Sequence, residues 1–139
     1  RKPNILTSLE LKPEAMEVRN IHLQKKYEEI KANEVRFETM HVDDADYIIV
    51  AFGSAARVSE KAIEIAHEEG LSLGLFRPIT LWPFPEKEIK ALAEINAGQM
   101  VEDVRLAVNG ALPVEHFGRL GGIVPEPEEI VNALKEKLL

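Results

Sequence analysis

The stretch that decides the fold spans residues 46–76 and reads DYIIVAFGSAARVSEKAIEIAHEEGLSLGLF. It opens with a continuous apolar run, 46–52, rich in β-branched residues, which is typical of a strand covered on both faces. Residues 55–69 then follow with the apolar spacing of a helix, and Gly70 stands where a helix is expected to end. A second apolar run, 71–76, completes a strand–helix–strand unit. Such a unit requires a parallel pair of strands joined by a right-handed connection.

The flanking segments extend this unit. A helix is predicted over 13–32, beginning at a proline followed by an acid, and its irregular apolar spacing indicates loose packing or a contact with another chain. The proline-punctuated segment 77–85 is predicted to be a loop. Helices are expected at 86–93, at 99–108 and from residue 125 onward, and a strand, running antiparallel at an edge, at 113–119. The predicted fold is therefore a three-layer α/β/α sandwich with a mostly parallel sheet.

Composition excludes several functional classes. The chain has 139 residues, a net charge of -7, 45% hydrophobic residues and 29% charged residues, which is the composition of one globular domain. The acidic balance argues against a nucleic-acid partner. No cysteine is present, so a disulfide scaffold, a thiolate zinc site and an iron–sulfur cluster bound by cysteines of this chain are excluded. No apolar run approaches the ~18 residues of a membrane span, and we expect a cytoplasmic protein.

The first candidate site is the turn formed by Gly53, Ser54, Ala55 and Arg57. Free N–H groups at the start of a helix attract anions, and Arg57 can add a guanidinium. The plainer interpretation is that Ser54 is the N-cap and that Gly53 lets the chain turn tightly. The turn lacks the glycine spacing of both common nucleotide-binding motifs.

A second group of candidates follows the second apolar run. Arg77 is expected just past that strand, at the same sheet edge as the Gly53 turn, where ligands or partners of open α/β sheets bind. We expect a protein contact there rather than a small molecule. Trp82 and Phe84, between prolines, suit either a plug over the domain's own core or an interface. The four histidines are scattered, and no spacing nominates a catalytic set or a metal site.

Four ordered segments carry a family resemblance: YIIVAFGSAARVSEKAIEIA, GLFRPITLWPFPEKEI, NAGQMVEDVRLAVNG and VEHFGRLGG. Together they resemble the C-terminal part of the α subunit of 2-oxoacid:ferredoxin oxidoreductases, a domain similar to the C-terminal domain of transketolase. The resemblance covers residues 42–139. Residues 1–41 would then be an arm and helix leading out of a preceding domain.

The resemblance implies a subunit of an enzyme that oxidatively decarboxylates a 2-oxoacid onto coenzyme A and passes electrons to ferredoxin. Thiamine diphosphate, magnesium and the iron–sulfur clusters would be held outside this chain, which would bind no cofactor and carry no catalytic residue. Its implied partners are the rest of the α subunit, the β and other subunits, and ferredoxin through the complex; a homodimer is a further arrangement. The candidate interface residues are Trp82, Phe84, Gln99, Glu102 and Arg105.

One departure from the family pattern stands out. Family members carry a further strand before the Asn-x-Gly-Gln motif, whereas here residues 90–95 run directly into Asn96. Either a strand is shortened to 92–95 or residues are absent. Two alternatives stay open: the equivalent domain of another thiamine-dependent enzyme, such as a pyruvate dehydrogenase β subunit, and an anion-binding module using residues 53–57. The residues do not indicate which 2-oxoacid is used.

Overall fold

A computed structural model describes residues 9–89, 101–111, 113–119 and 123–138. The chain divides into two compact units, and the boundary falls between Glu34 and Val35. The first unit contains helix α1, Pro13–Asn33, with an acid in its first turn. This confirms the predicted helix, including its start at a proline. Its apolar side chains do not gather on one face, as the irregular spacing predicted.

The second unit is built on a three-stranded sheet with the order β1-β3-β2. The strands are β1 (Phe37–Met40), β2 (Tyr47–Val50) and β3 (Leu73–Pro78). Strands β2 and β3 are parallel, and helix α2 (Gly53–Glu68) connects them, which confirms the predicted crossover. Strand β1 pairs antiparallel with β3, so the sheet has one pair of each kind. Because of this pairing, the second unit begins before residue 42, where the sequence suggested a domain start.

Helices cover both faces of the sheet. They are α3 (Glu86–Ile89), α4 (Val101–Val108) and α5 (Pro127–Leu138), besides α2. Ile49 faces a core shared with α2 and α5, whereas the next residue, Val50, faces a second core shared with α3 and α4. This alternation explains why the run at 46–52 is continuously apolar, since both faces of β2 are buried. The three-layer α/β/α architecture is therefore confirmed.

Three expectations need correction. Arg77 lies inside β3 rather than beyond it, because the pairing with β1 carries the strand on to Pro78. Residues 113–119 form no strand; Phe117 packs its side chain against the first core instead of entering the sheet, and the antiparallel edge strand is β1. Ser54 is not the N-cap of α2, because that position belongs to Phe52 and carries no side-chain cap. Residues 90–100, with the strand expected at 92–95, lie outside the described residues.

The described helices include none long and apolar enough to cross a membrane.

Candidate functional site

Three segments of the chain meet at the carboxyl edge of the parallel strands. Strand β2 passes through Phe52 into the start of α2, and β3 passes into the loop 79–85. Because β1 runs antiparallel, its first residue, Phe37, pairs with Pro78 at this same edge. In open α/β sheets this is the edge at which ligands or partners bind. The structure therefore brings the two predicted groups of candidates to one end of the sheet.

The turn between β2 and α2 has the open helix start that the sequence predicted. Gly53 adopts a φ of 60°, a conformation that favours glycine, while a Cβ at this position would meet nothing within 4 Å. Gly53 is therefore required by the backbone conformation of the turn, and not because a neighbouring atom comes close to it. Ser54 and Arg57 are exposed, and Ala55 is half-buried. The helix start can attract an anion, but no buried polar side chain is directed toward it in the part of the chain described.

Arg77 is engaged within the sheet. Its Nη1 donates to Oε2 of Glu38 at 2.9 Å, and the two residues are directly opposite each other on β3 and β1. Both side chains are more than a third exposed, so the ion pair contributes about 0–1 kcal/mol at most. Arg77 thus serves strand pairing, which weakens its candidacy as a ligand-binding group.

The loop after β3 is held by Thr80. The backbone N–H groups of Ile79 and Thr80 both donate to the carbonyl oxygen of Arg36, at 2.9 and 3.1 Å. The N–H of Arg36 donates in return to Thr80 Oγ1 at 3.0 Å. The Thr80 hydroxyl then donates to the carbonyl oxygen of Pro83 at 3.1 Å. One side chain therefore fixes both ends of the turn 80–83 and ties it to the residue before β1.

Large apolar side chains project from this edge. We call them the edge patch; their exposed fractions lie between 37% and 55%, and they are Phe37, Phe52, Ile79, Leu81 and Trp82. Trp82 is 55% exposed, so the alternative that it plugs the core is wrong. Phe84 takes that role instead, since it is half-buried against the second core. The sequence did not single out Phe52, because it ends an apolar run predicted to be a strand, and Phe37 stands in a segment with no distinctive local signal.

The remaining interface candidates lie elsewhere. Glu102 and Arg105 are exposed on α4, and Arg105 Nη2 is 3.5 Å from the carbonyl oxygen of Val114. Neither of them has a hydrogen bond or ion pair with the edge patch among the described residues. Gln99 lies outside the described residues.

Within the described residues, no three His, Cys, Asp or Glu side chains are grouped so that they could hold a metal ion. The rings of His41 and His67 meet edge-to-face with centroids 5.2 Å apart, but Nε2 of His67 is within 3.0 Å of the Leu73 carbonyl oxygen. Through that contact the two histidines stabilise the sheet, at the edge opposite the edge patch. Spacing along the sequence gave no signal for it.

Among the described residues, one carboxyl group has a lowered pKa, and it belongs to a helix cap. The N–H of Glu126 donates to Glu129, and Arg119 forms an ion pair with the same carboxylate. These two donors, the backbone N–H first, lower the pKa of Glu129. The group stabilises the start of α5 and lies away from the edge patch.

Comparisons with known proteins agree with this architecture. Residues 45–130 match the family described as pyruvate:ferredoxin oxidoreductase core domain II. The ketoisovalerate oxidoreductase subunit VorB of Methanothermobacter thermautotrophicus is 42% identical over 142 residues, covering 96% of this chain. The 2-oxoglutarate synthase subunit KorA of Methanothermobacter marburgensis is 35% identical, covering 66% of this chain. The chain spans 40% of the VorB subunit and 27% of the KorA subunit.

A solved structure shares the fold. The 2-oxoglutarate:ferredoxin oxidoreductase of Magnetococcus marinus superposes with a TM-score of 0.71, at 22% identity, over 94% of this chain and 24% of that one. At this identity the likeness concerns the fold alone.

Proposed function

This chain belongs to the family of pyruvate:ferredoxin oxidoreductase core domain II, and on that premise we propose that it is the C-terminal domain of the α subunit of a 2-oxoacid:ferredoxin oxidoreductase. The observation that carries the proposal is the family match over 45–130, which includes the parallel pair, its crossover helix and the loop 79–85. The whole enzyme oxidatively decarboxylates a 2-oxoacid onto coenzyme A and transfers electrons to ferredoxin. In this proposal the residues before Val35 lead into this domain from a preceding one.

The proposed role of the domain is assembly, with catalysis supplied by other parts of the complex. Thiamine diphosphate, magnesium and iron–sulfur clusters are the cofactors of the proposed enzyme, and we propose that other parts of it hold them. A chain without cysteine has no thiolate for a cluster. Its described residues group no three carboxylates or histidines that could hold a metal ion. No catalytic step is therefore assigned to this chain, and its cytoplasmic location stays a prediction.

For the substrate we propose a branched-chain 2-oxoacid. Two ketoisovalerate oxidoreductase subunits, 42% and 39% identical, align over 96% of this chain. The 2-oxoglutarate synthase subunits align over 66% of it, at 32–35% identity. The alignment with the ketoisovalerate subunits extends beyond the part of the chain that also aligns with the 2-oxoglutarate synthase subunits. This longer alignment supports a closer relationship to the ketoisovalerate enzymes.

A substrate panel tests this function. The complex is purified through a tag on the full-length subunit that contains this chain, and coenzyme A-dependent viologen reduction is followed with 3-methyl-2-oxobutanoate, 2-oxoglutarate and pyruvate. We expect the highest kcat/KM with the branched substrate. Reduction with 2-oxoglutarate or pyruvate alone would contradict the substrate class, and no reduction with any 2-oxoacid would contradict the enzyme class.

A second candidate is an anion-binding module at residues 53–57. The open start of α2 favours it, together with Arg57, for which no ion pair is found among the described residues. Calorimetric titration of the chain with thiamine diphosphate, coenzyme A and phosphate distinguishes the two. Saturable binding that Arg57→Ala abolishes would favour the module.

The further alternative, a pyruvate dehydrogenase β-like domain, is disfavoured by the family match and by relatives that are ketoisovalerate oxidoreductase and 2-oxoglutarate synthase subunits.

A further inference from the structure

We propose that Asn109 and Gly110 form a self-modifying site, at which the backbone nitrogen of Gly110 attacks the side-chain amide of Asn109 and converts this residue into aspartate or isoaspartate. Water is the only co-reactant. The modification goes beyond the proposed function and is independent of it, because it requires no substrate, cofactor or partner.

The two residues lie in a tight turn at the end of α4. Asn109 has a φ of 48° and Gly110 a φ of 75°. The N–H of Ala111 donates to the carbonyl oxygen of Val108 at 3.0 Å, which closes a four-residue turn. Positive φ at both central residues is the geometry of a type I′ turn, for which Asn-Gly is the preferred pair. The turn therefore explains why a glycine directly follows an asparagine here.

The backbone nitrogen of Gly110 is open to react. The N–H groups on either side of it are engaged, since Asn109 donates to the carbonyl oxygen of Arg105 at 3.0 Å and Ala111 closes the turn. The N–H of Gly110 has no hydrogen-bond partner among the described residues. Asn109 and Gly110 are both exposed, and the space at the Cβ position of Gly110 is empty within 4 Å. No side chain therefore shields this nitrogen from the amide of Asn109.

The reaction proceeds in two steps. The Gly110 nitrogen loses its proton to hydroxide and bonds to Cγ of Asn109, the bond from Cγ to Nδ2 breaks, and Nδ2 takes up a proton from water and leaves as ammonia. The product is a five-membered succinimide ring. Water then opens the ring at one of its two carbonyl carbons, which gives aspartate or isoaspartate. One water is consumed and one ammonia is released, with no oxidation or reduction.

Two other exposed asparagines lack this arrangement. The amide of Asn33 donates to the carbonyl oxygen of Glu29 at 2.7 Å, and the N–H of the next residue, Glu34, donates to a helix carbonyl oxygen at 2.9 Å. Asn132 lies inside α5, where the N–H of the next residue belongs to the hydrogen-bond pattern of the helix. Exposure alone therefore does not select the site, whereas the turn does.

The modification affects the end of α4. A carboxylate at position 109 stands at the C-terminal end of the helix, where the helix dipole is negative, so the new charge is unfavourable. In isoaspartate the main chain passes through Cβ, and the extra backbone atom alters the turn. Val108, the last residue of α4, packs in the second core with Val104 and Ala107. Modification is therefore expected to loosen the end of α4 against that core.

The test incubates the complex, purified through the full-length subunit that contains this chain, at neutral and at alkaline pH and follows its tryptic peptides by mass spectrometry. Cleavage after Arg105 and Arg119 releases peptide 106–119, in which Asn109 is the only side-chain amide. Peptide 120–135 has Asn132 as its only side-chain amide and is the matched internal control. Each amide converted to a carboxyl group adds about 1 Da. The same complex unfolded in urea gives the reference rate.

We expect peptide 106–119 of the folded complex to gain this mass at a rate within about tenfold of that in urea, because only the single hydrogen bond of the turn has to open. The rate should rise with pH, since the attacking nitrogen is deprotonated, and the product should separate into aspartate and isoaspartate forms. Peptide 120–135 should gain no mass in the folded complex. Amide hydrogen exchange of residues 101–108 should become faster as modification proceeds. Asn109→Gly, which removes the amide and adopts positive φ, should show no such change with time.

A gain in peptide 106–119 that is more than about tenfold slower in the folded complex than in urea would overturn the proposal, because the fold would then protect the amide. Equal gains in the two peptides would also overturn it, since the turn would not select the site. Unchanged hydrogen exchange in α4 after complete modification would refute the loosening of that helix.

Discussion

Gly74 lies in the central strand β3, opposite Ile48, and a single added methyl group there should be costly. A Cβ at this position would be 2.7 Å from the carbonyl oxygen of His41, 3.0 Å from Cα of Val42 and 3.1 Å from the carbonyl carbon of His41. All three are backbone atoms. Rotation of a side chain cannot relieve the contact, so the segment between β1 and β2 has to move.

The expected cost of Gly74→Ala follows from this geometry. Overpacking of a core costs ~1–3 kcal/mol, and a clash with backbone belongs at the upper end. We therefore expect a loss of about 3 kcal/mol in the free energy of unfolding and a melting temperature about 10 °C lower. The loss should be measured by urea unfolding followed by circular dichroism. The dependence of the free energy of unfolding on urea concentration should be unchanged.

Gly110 provides the control. Its φ is 75° and the space around its Cβ position is open, so Gly110→Ala costs only the left-handed conformation, ~1–2 kcal/mol. Asparagine tolerates that conformation, so Gly110→Asn should lose less than Gly110→Ala, whereas Gly74→Asn should lose more than Gly74→Ala. A Gly74→Ala protein as stable as the wild type would refute the close approach of residues 41–42 to β3.

Three further predictions concern the packing and charges of the second unit. Leu134→Ala should lower the free energy of unfolding by about 3 kcal/mol in urea, because this side chain of α5 is 1% exposed in the first core; a change below about 1 kcal/mol would contradict that packing. A backbone N–H and the Arg119 guanidinium lower the pKa of Glu129, so the stabilisation is present above its unfolded-state pKa and is lost as the pH falls through the folded-state value. The difference in melting temperature between the wild type and Glu129→Gln should therefore be present at pH 7 and shrink progressively as the pH falls below about 4; a difference that does not shrink at acid pH would exclude this cause. Glu38→Gln should cost less than about 1 kcal/mol, and a larger loss, or one insensitive to salt, would show that the pair with Arg77 is more than an exposed ion pair.

The sequence predicted those parts of the fold that depend on local patterns. The runs at 46–52 and 71–76 and the helical spacing between them identified the parallel pair, because burial on both faces of a strand leaves a continuous apolar signature. The length of β3 and the place of the antiparallel strand could not be read in this way. Both depend on the pairing of Arg77 with Glu38, 39 residues away in the chain. Residues 113–119 have strand-like composition, yet Phe117 enters the core without backbone pairing.

The candidate site was predictable to a similar extent. The turn at Gly53 was identified because a glycine directly after a buried strand marks a sharp change of direction. The clamp by Thr80 was missed, since it joins residues 44 positions apart and threonine in a loop carries no distinctive signal. The exposure of Trp82 was not predictable either, because a tryptophan between prolines suits a plug and an interface equally. The fold shows that Trp82 is exposed and therefore no plug, and its place in an interface stays a prediction.

We propose that the catalytic groups lie outside this chain and that it acts as part of a 2-oxoacid:ferredoxin oxidoreductase. The most direct measurement compares the complete complex with the isolated chain at equal molar concentration, following viologen reduction with 3-methyl-2-oxobutanoate and coenzyme A. We predict coenzyme A-dependent reduction by the complex and none by the isolated chain. Turnover by the isolated chain, or a complex that reduces no viologen with any 2-oxoacid, would contradict the account.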